Sequence, residues 1–296
     1  MTTTSLASPA VSPPKGGFWY RHPRLRLTAL LAAPMFWLVV VYLGSLAVLF
    51  ITAFWSVNDF TGQVVRTWTL KNFQNLFTNV GYLQTVLRTV GISLAVTVIF
   101  AVIAIPLAFW MARVVRPRWR PLLVALVLTP LWASYLVKVY AWRAMLEPNS
   151  GVLASVLSPL GLGDWSFGTI TIIVTLTYLW LPYMILPVYA GLERLPNSLL
   201  DASADLGARP GKTFRSVILP TIFPAVVAGS IFTCSLSLGD YITAQIVGGK
   251  TIMLGNVVQQ TYVTNLPFAA AVATLPVVVI LLYLFAVRRT GALDNV

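Results

Sequence analysis

Two stretches of this chain carry the residue types of a phosphate-binding loop, a glycine-rich turn closed by Lys and Thr. The first is Gly207-Ala208-Arg209-Pro210-Gly211-Lys212-Thr213. The second is Ala244-Gln245-Ile246-Val247-Gly248-Gly249-Lys250-Thr251. In a working loop, backbone N–H groups cradle phosphates, the Lys reaches the terminal phosphates and the hydroxyl holds Mg²⁺. The first stretch has three residues between its glycines, where that geometry requires four. The second matches only the looser pattern that accepts Ala first, and it lacks a strand before it and a parallel sheet around it. No paired acids, triad or metal-ligand cluster appears elsewhere. The lone Cys234 lies in an apolar run, and the lone His22 lies in a basic tail. The chain reads as no enzyme, with no cofactor or metal of its own. Two isolated acidic features remain, Asp201 with Asp205, and Asp240 beside Tyr241.

The elements that hold these residues are apolar. Of 296 residues, 58% are hydrophobic and only 9% charged, against about 25% charged in soluble domains. The mean hydropathy is +0.83. Six uncharged runs stand out: Leu27–Asn58, Thr89–Ala112, Pro121–Val137 (continuing toward Leu146), Trp165–Leu192, Ser216–Gly239 and Thr251–Val287. About 20 apolar residues cross a bilayer, so each run reads as a membrane span. The first run is too long for a cleavable signal core. The last exceeds one span, and Asn265-Leu266-Pro267 marks the start of its helix. Residues 1–26 read as a disordered basic tail, 27–289 as the membrane domain and 290–296 as a short tail.

The net charge of +12 is a topological signal rather than a nucleic-acid footprint. Fourteen of the 20 basic residues fall on alternate connections. These are Lys15, Arg21, Arg24 and Arg26 before the first span, and Arg113, Arg116, Arg118 and Arg120 after the second. Arg194, Arg209, Lys212 and Arg215 follow the fourth, and Arg288 and Arg289 the sixth. Positive charge collects on the cytoplasmic side, so both termini and the stretch from about 194 to 220 are expected there. Lys138, about 25 Å beyond Pro121 along a straight helix, is expected to snorkel at the outer interface.

Within that stretch, Pro196-Asn197-Ser198 suits a helix start, with Ser198 capping and Asp201 completing a capping box. Leu199, Ala202 and Leu206 share a face, and Asp201 and Asp205 share another. Gly207 is a natural stop in the left-handed conformation. A second short helix is expected from Pro210. By residue physics alone, an amphipathic interfacial turn and a functional corner stand as even readings.

The full spacing resembles the signature of the permeases of binding-protein-dependent ABC importers. It runs acidic-Ala-Ala, three residues, Gly, nine residues, aliphatic, one residue, Leu-Pro. Here it reads Asp201-Ala202-Ser203, Gly207, Val217 and Leu219-Pro220. Asp201 stands where Glu is commonest, and Ser203 where Ala is. The resemblance implies an all-α membrane protein with six transmembrane helices of the type I importer permease kind and short cytoplasmic coupling helices. It implies that Asp201, Ala202, Ser203, Asp205, Leu206, Gly207, Leu219 and Pro220 couple to a separate ATPase subunit. ATP and Mg would be bound there, not by this chain. Implied partners are a second permease subunit, two ABC ATPases, an extracytoplasmic solute-binding protein and the lipid of a bacterial inner membrane.

Tyr140-Ala141-Trp142-Arg143 with Gly151-Val152-Leu153, and Ser237-Leu238-Gly239-Asp240-Tyr241 with Gly248-Gly249, look like the spermidine/putrescine branch. Related branches carry opines, ferric iron or thiamine. An amine wants carboxylates and aromatic faces along its path, which singles out Asp240 and Tyr241, then Trp142, Glu147 and Tyr140. A stand-alone secondary transporter is the competing class. Such carriers show inverted repeats and midplane ionisable groups, whereas these run interiors hold only Lys138 and Arg143. A purely structural membrane subunit would not require the glycine-cornered loop.

Overall fold

The computed structural model describes residues 23–58, 60–147, 150–157 and 167–288. It falls into two compact units, one ending at Ile51 and the other beginning at Thr52. The expected tail at 290–296, and residues 1–22 of the expected N-terminal tail, lie outside the described residues. Helix starts at Pro23, inside the stretch expected to be unstructured.

The first unit is a helical span. Helix α1 (Pro23–Trp37) passes through a π-helical segment, Leu38–Leu43, into α2 (Gly44–Thr52). Its apolar part, Leu30–Thr52, is 23 residues long, enough to cross a bilayer.

In the second unit a two-stranded hairpin, β1 (Ser56–Val57) with β2 (Val64–Val65), precedes the amphipathic helix α3 (Lys71–Thr78). Asn72 on α3 donates to the carbonyls of Ala53 at 2.9 Å and Trp55 at 2.8 Å, which docks the helix on the preceding turn. The second span is α4 (Val80–Phe109), prolonged by a π-helical turn to Val114 just after Pro106. After a short helix, α7 (Val152–Leu157), the fourth span is α8 (Thr169–Arg194), and the last is α14 (Leu266–Arg288). The last helix begins where Asn265-Leu266-Pro267 indicates, with Asn265 accepting the Phe268 N–H at 3.0 Å.

Two expectations are corrected. The third span is not one straight helix. Helices α5 (Arg120–Trp132) and α6 (Tyr135–Leu146) meet at a 91° bend. Pro130 removes a backbone donor just before the break, and Ala133 (ψ 142°) and Ser134 (ψ 136°) are extended. Five helices among the described residues are continuous membrane-crossing candidates, and this bent pair makes the sixth. Lys138 therefore does not lie on a straight extension of α5. Its side chain is 8% exposed, enclosed by protein rather than snorkelling.

The second correction concerns the helix from Pro210. It is not a separate short element. Helix α10 (Pro210–Thr213) runs through the π-helical segment Phe214–Ile218 into α11 (Leu219–Leu238), a continuous 29-residue span.

Spans α4, α8 and α11 pack pairwise on one another. Their shared core includes Val96, Phe100, Ala104, Leu176, Met184, Val188 and Ile222. In lipid the drive for such packing is close fit rather than water exclusion, so small residues mark the contacts. A Cβ on Gly191 would meet the Ala225 Cβ at 2.8 Å, and one on Gly229 would meet the Met184 Sδ at 2.6 Å. Some hydroxyls in these spans fold back onto their own backbone, as with Thr97 to the Ser93 carbonyl (2.7 Å) and Thr233 to that of Gly229 (3.0 Å), while those of Ser93, Thr175 and Ser237 are buried without a partner among the described residues.

Between the fifth and last spans, α12 (Ile242–Val247) and α13 (Leu254–Thr261) form a folded connection. Thr171 at the start of α8 donates to the Val247 carbonyl at 2.6 Å, and the Leu254 N–H donates to Thr89 of α4 at 3.0 Å. A smaller apolar cluster of Leu76, Leu254, Val257, Phe268 and Val272 joins α3, α13 and α14.

Candidate functional site

Two groups of singled-out residues lie at opposite ends of the continuous Pro210–Leu238 helix. At one end is the corner made by α9 (Asn197–Asp205) and α10. Pro196, extended at ψ 139°, delivers the chain into α9 two residues earlier than a Ser198 cap would. Ser198 is therefore inside the first turn, and no side-chain cap forms. Asn197 instead accepts from Arg113 Nη1 at 2.7 Å, and Arg113 Nη2 donates to the carbonyls of Leu192 and Leu195. The Leu192 carbonyl, which also accepts the Leu195 N–H at 3.3 Å, and the Leu195 carbonyl end the fourth span, where a guanidinium satisfies the remaining acceptor positions well.

The other end of α9 is a Schellman stop. The Ala208 N–H reaches the Ser203 carbonyl at 3.1 Å, and the Gly207 N–H reaches that of Ala204 at 2.8 Å. Gly207 has φ +71°, as expected, and nothing lies within 4 Å of where a Cβ would stand. Its requirement is conformational, not steric. The Ser203 and Thr213 hydroxyls share a hydrogen bond of 2.8 Å across the corner, and Ser203 is buried.

Asp201, Ala202, Asp205, Leu206 and Gly207 are exposed, Leu206 at 88%. The bare leucine sits beside two carboxylates. Leu219 and Pro220 do not join this surface. They lie about 15 Å along the same helix from Pro210, at 1.5 Å rise per residue, and Pro220 lines a separate recess with Gly191 and Pro224.

Neither phosphate-loop candidate has the setting it needs. A helix precedes Gly207. Another, α12, runs into Gly248-Gly249, and the only two strands among the described residues are those of the hairpin. The two glycines there serve the turn: a Cβ on Gly248 would sit 2.2 Å from the Ala244 carbonyl oxygen, and Gly249 has φ +58° against Phe167.

At the far end of the helix, Asp240 is only 7% exposed. Its Oδ1 accepts the Thr243 N–H at 2.8 Å, which holds the first turn of α12. Its Oδ2 accepts from the Thr243 hydroxyl at 3.1 Å and from the Tyr135 hydroxyl. A carboxylate offers about four acceptor positions, so one has no donor among the described residues. Tyr135 begins α6, just past the 91° break, and stacks on Trp180 of α8 with centroids 5.7 Å apart. Tyr135, Trp180, Asp240 and Tyr241 line a recess of about 320 Å³. The Trp180 Nε1 is buried without a partner among the described residues.

Tyr140 and Tyr241 share a neighbouring recess with Arg143, which donates to the Ile246 carbonyl at 3.0 Å. Trp142 packs on Tyr178 (5.3 Å between centroids) and stands outside both recesses, as does Glu147, whose carbonyl accepts the Gly151 N–H at 2.8 Å. The sequence reading missed Tyr135 and Thr243. Thr243 was findable as a hydroxyl three residues beyond an acid at a helix start; Tyr135, 105 residues away from Asp240 in sequence, left no signal.

These features define a multi-pass helical membrane protein with a built corner at one end and a buried acid at the other. Residues 104–289 match the family described as binding-protein-dependent transport system inner membrane component. The inner membrane ABC transporter permease protein YdcU of Escherichia coli (strain K12) is 43% identical over 295 residues, covering 94% of each chain. The spermidine/putrescine transport system permease protein PotB of Haemophilus influenzae is 34% identical over 268 residues, covering 88% of this chain and 91% of that one. The fold matches a chain of a bacterial alginate ABC transporter, solved in complex with an alginate pentasaccharide-bound periplasmic protein, with TM-score 0.68 at 16% identity over 93% of this chain and 98% of that one. The chain belongs to the inner-membrane components of binding-protein-dependent transport systems, as a multi-pass permease subunit of an ABC importer. It resembles the spermidine/putrescine branch of that family.

Proposed function

We propose that this permease carries a polyamine of the spermidine/putrescine class, handed over by an extracytoplasmic binding protein. The observation that carries this reading is the buried Asp240, with one acceptor position that has no donor among the described residues, in a recess walled by Tyr135, Trp180 and Tyr241. A carboxylate beside aromatic faces suits an ammonium group. The names of the PotB relatives point to the same solute class. Both termini lie in the cytoplasm in this reading, which places the Gly207 corner there too. The exposed Asp201, Ala202 and Leu206 then meet a separate ATPase subunit, which binds ATP and Mg. This chain hydrolyses nothing, and a second permease subunit completes the path.

The test is uptake of radiolabelled spermidine and putrescine by vesicles containing the whole complex, with excess unlabelled opine, ferric iron or thiamine as competitors. Polyamine uptake that withstands all three competitors supports the reading. Uptake of one of the competitors, with none of either polyamine, overturns it.

A further inference from the structure

A polar pocket of about 450 Å³ opens where the second span ends, the third begins and the fourth passes into the coupling stretch. Its ionisable lining is Arg113, Arg120, Arg194 and Glu193, three guanidiniums against one carboxylate. The partners these cations have are neutral. Arg113 donates to Asn197 and to the carbonyls of Leu192 and Leu195. Its Nε is buried with no partner among the described residues. Arg120 donates from Nε to the Val115 carbonyl at 3.3 Å. The Arg194 guanidinium makes no hydrogen bond or ion pair among the described residues. Among the described residues the Glu193 carboxylate accepts from the Tyr189 hydroxyl alone, at 3.4 Å.

Carbonyl and amide oxygens satisfy donors but cancel no charge. The guanidinium fork matches the oxygens of a phosphate, two bonds at a time. Basic pockets between membrane helices, open to one face of the bilayer, are suited to lipid phosphates. We propose that this pocket binds a phosphate-bearing anion, either the headgroup of an anionic phospholipid or free phosphate. Arg120 and Arg194 grip the anion, and Arg113, anchored on three protein oxygens, forms the fixed wall behind it. Because Arg113 also holds Asn197, an occupied pocket fastens the end of the second span to the start of the coupling helix. This follows from the pocket's own residues, whichever solute the permease carries.

The experiment uses the purified full-length chain in detergent and reads its thermal unfolding. The probes are phosphatidylglycerol against phosphatidylcholine, and inorganic phosphate against chloride at matched ionic strength. The parent should be stabilised by phosphatidylglycerol or by phosphate, and whichever probe acts identifies the source. In the double variant Arg120→Gln, Arg194→Gln the apparent affinity for that probe should fall about tenfold or more, since two charge-assisted contacts are lost. Unfolding of the variant in phosphatidylcholine should match the parent. If the double variant does not fold, Arg194→Gln alone is read, because that side chain supports nothing in the fold. Absence of stabilisation by either probe overturns the proposal and leaves the arginines to solvent or an acidic protein partner. Stabilisation undiminished in the variant overturns it equally.

Discussion

Ser203 and Thr213 hydrogen-bond to each other at 2.8 Å across the Gly207 corner, joining the end of α9 to the start of the fifth span. Ser203 is buried while its neighbours Asp201 and Ala202 are exposed. It therefore stiffens the corner from inside. Ser203→Ala should cost about 1 kcal/mol of local stability, seen as faster amide exchange at Gly207 and Ala208 with assembly intact. Ser203→Leu should disrupt the corner outright, because the added carbons must be fitted into a buried position. Unchanged exchange in Ser203→Ala would show that the hydroxyl pair does not stiffen the corner.

Gly207, at φ +71° with open space around it, separates conformational from steric demand. Gly207→Val should strain the backbone by about 1–2 kcal/mol, with transport lost and the ATPase co-purifying poorly. Gly207→Asn, a residue that visits the left-handed region readily, should restore most uptake. Equal uptake by the Val and Asn variants would show that φ at this position does not matter.

Asp240→Asn keeps an acceptor for the Thr243 N–H and removes the charge. Its amide can donate to the Tyr135 hydroxyl, where the carboxylate accepted from it, so expression and complex assembly should match the parent. Polyamine uptake should fall about tenfold or more, the scale of one lost charge-assisted contact. Binding-protein-stimulated ATP hydrolysis, measured alongside, distinguishes a lost path from a lost complex. Parent-level uptake would reduce Asp240 to a cap for α12.

The close approach of the fourth and fifth spans gives a packing test. Gly191→Val places side-chain carbons where Ala225 already stands, 2.8 Å from the new Cβ. Overpacking of this kind costs about 1–3 kcal/mol, read as a lower unfolding temperature in detergent. The paired change Gly191→Ala, Ala225→Gly should recover most of the loss.

Orientation is checked by a reporter fused after Val296. Activity in the cytoplasm is expected from the bias of the basic connections. A reporter active only outside would invert every assignment of side made under the proposed function.

The spans were legible because the bilayer demands long uncharged runs, and a run such as Thr89–Ala112 has no soluble interpretation. The Gly207 stop was legible because few residues adopt its backbone conformation. The bend at Ala133–Ser134 was not. Pro130 looks like any tolerated membrane proline, and other proline-bearing spans here, such as α8 with Pro182 and Pro187, stay continuous. Pairings between distant helices, Arg113 with Asn197 and Tyr135 with Asp240, leave no local trace in the chain. They are set by which spans pack together.

The unbroken helix from Pro210 to Leu238 links the two ends in one solid piece. Its 29 residues make a rod about 43 Å long at 1.5 Å per residue. On a rod that long, a pivot of about 5° at the corner sweeps the far tip sideways by about 4 Å, more than the span of a hydrogen bond. A swing of that size, with α6 held still, is enough to part the Tyr135–Asp240 contact just beyond the tip.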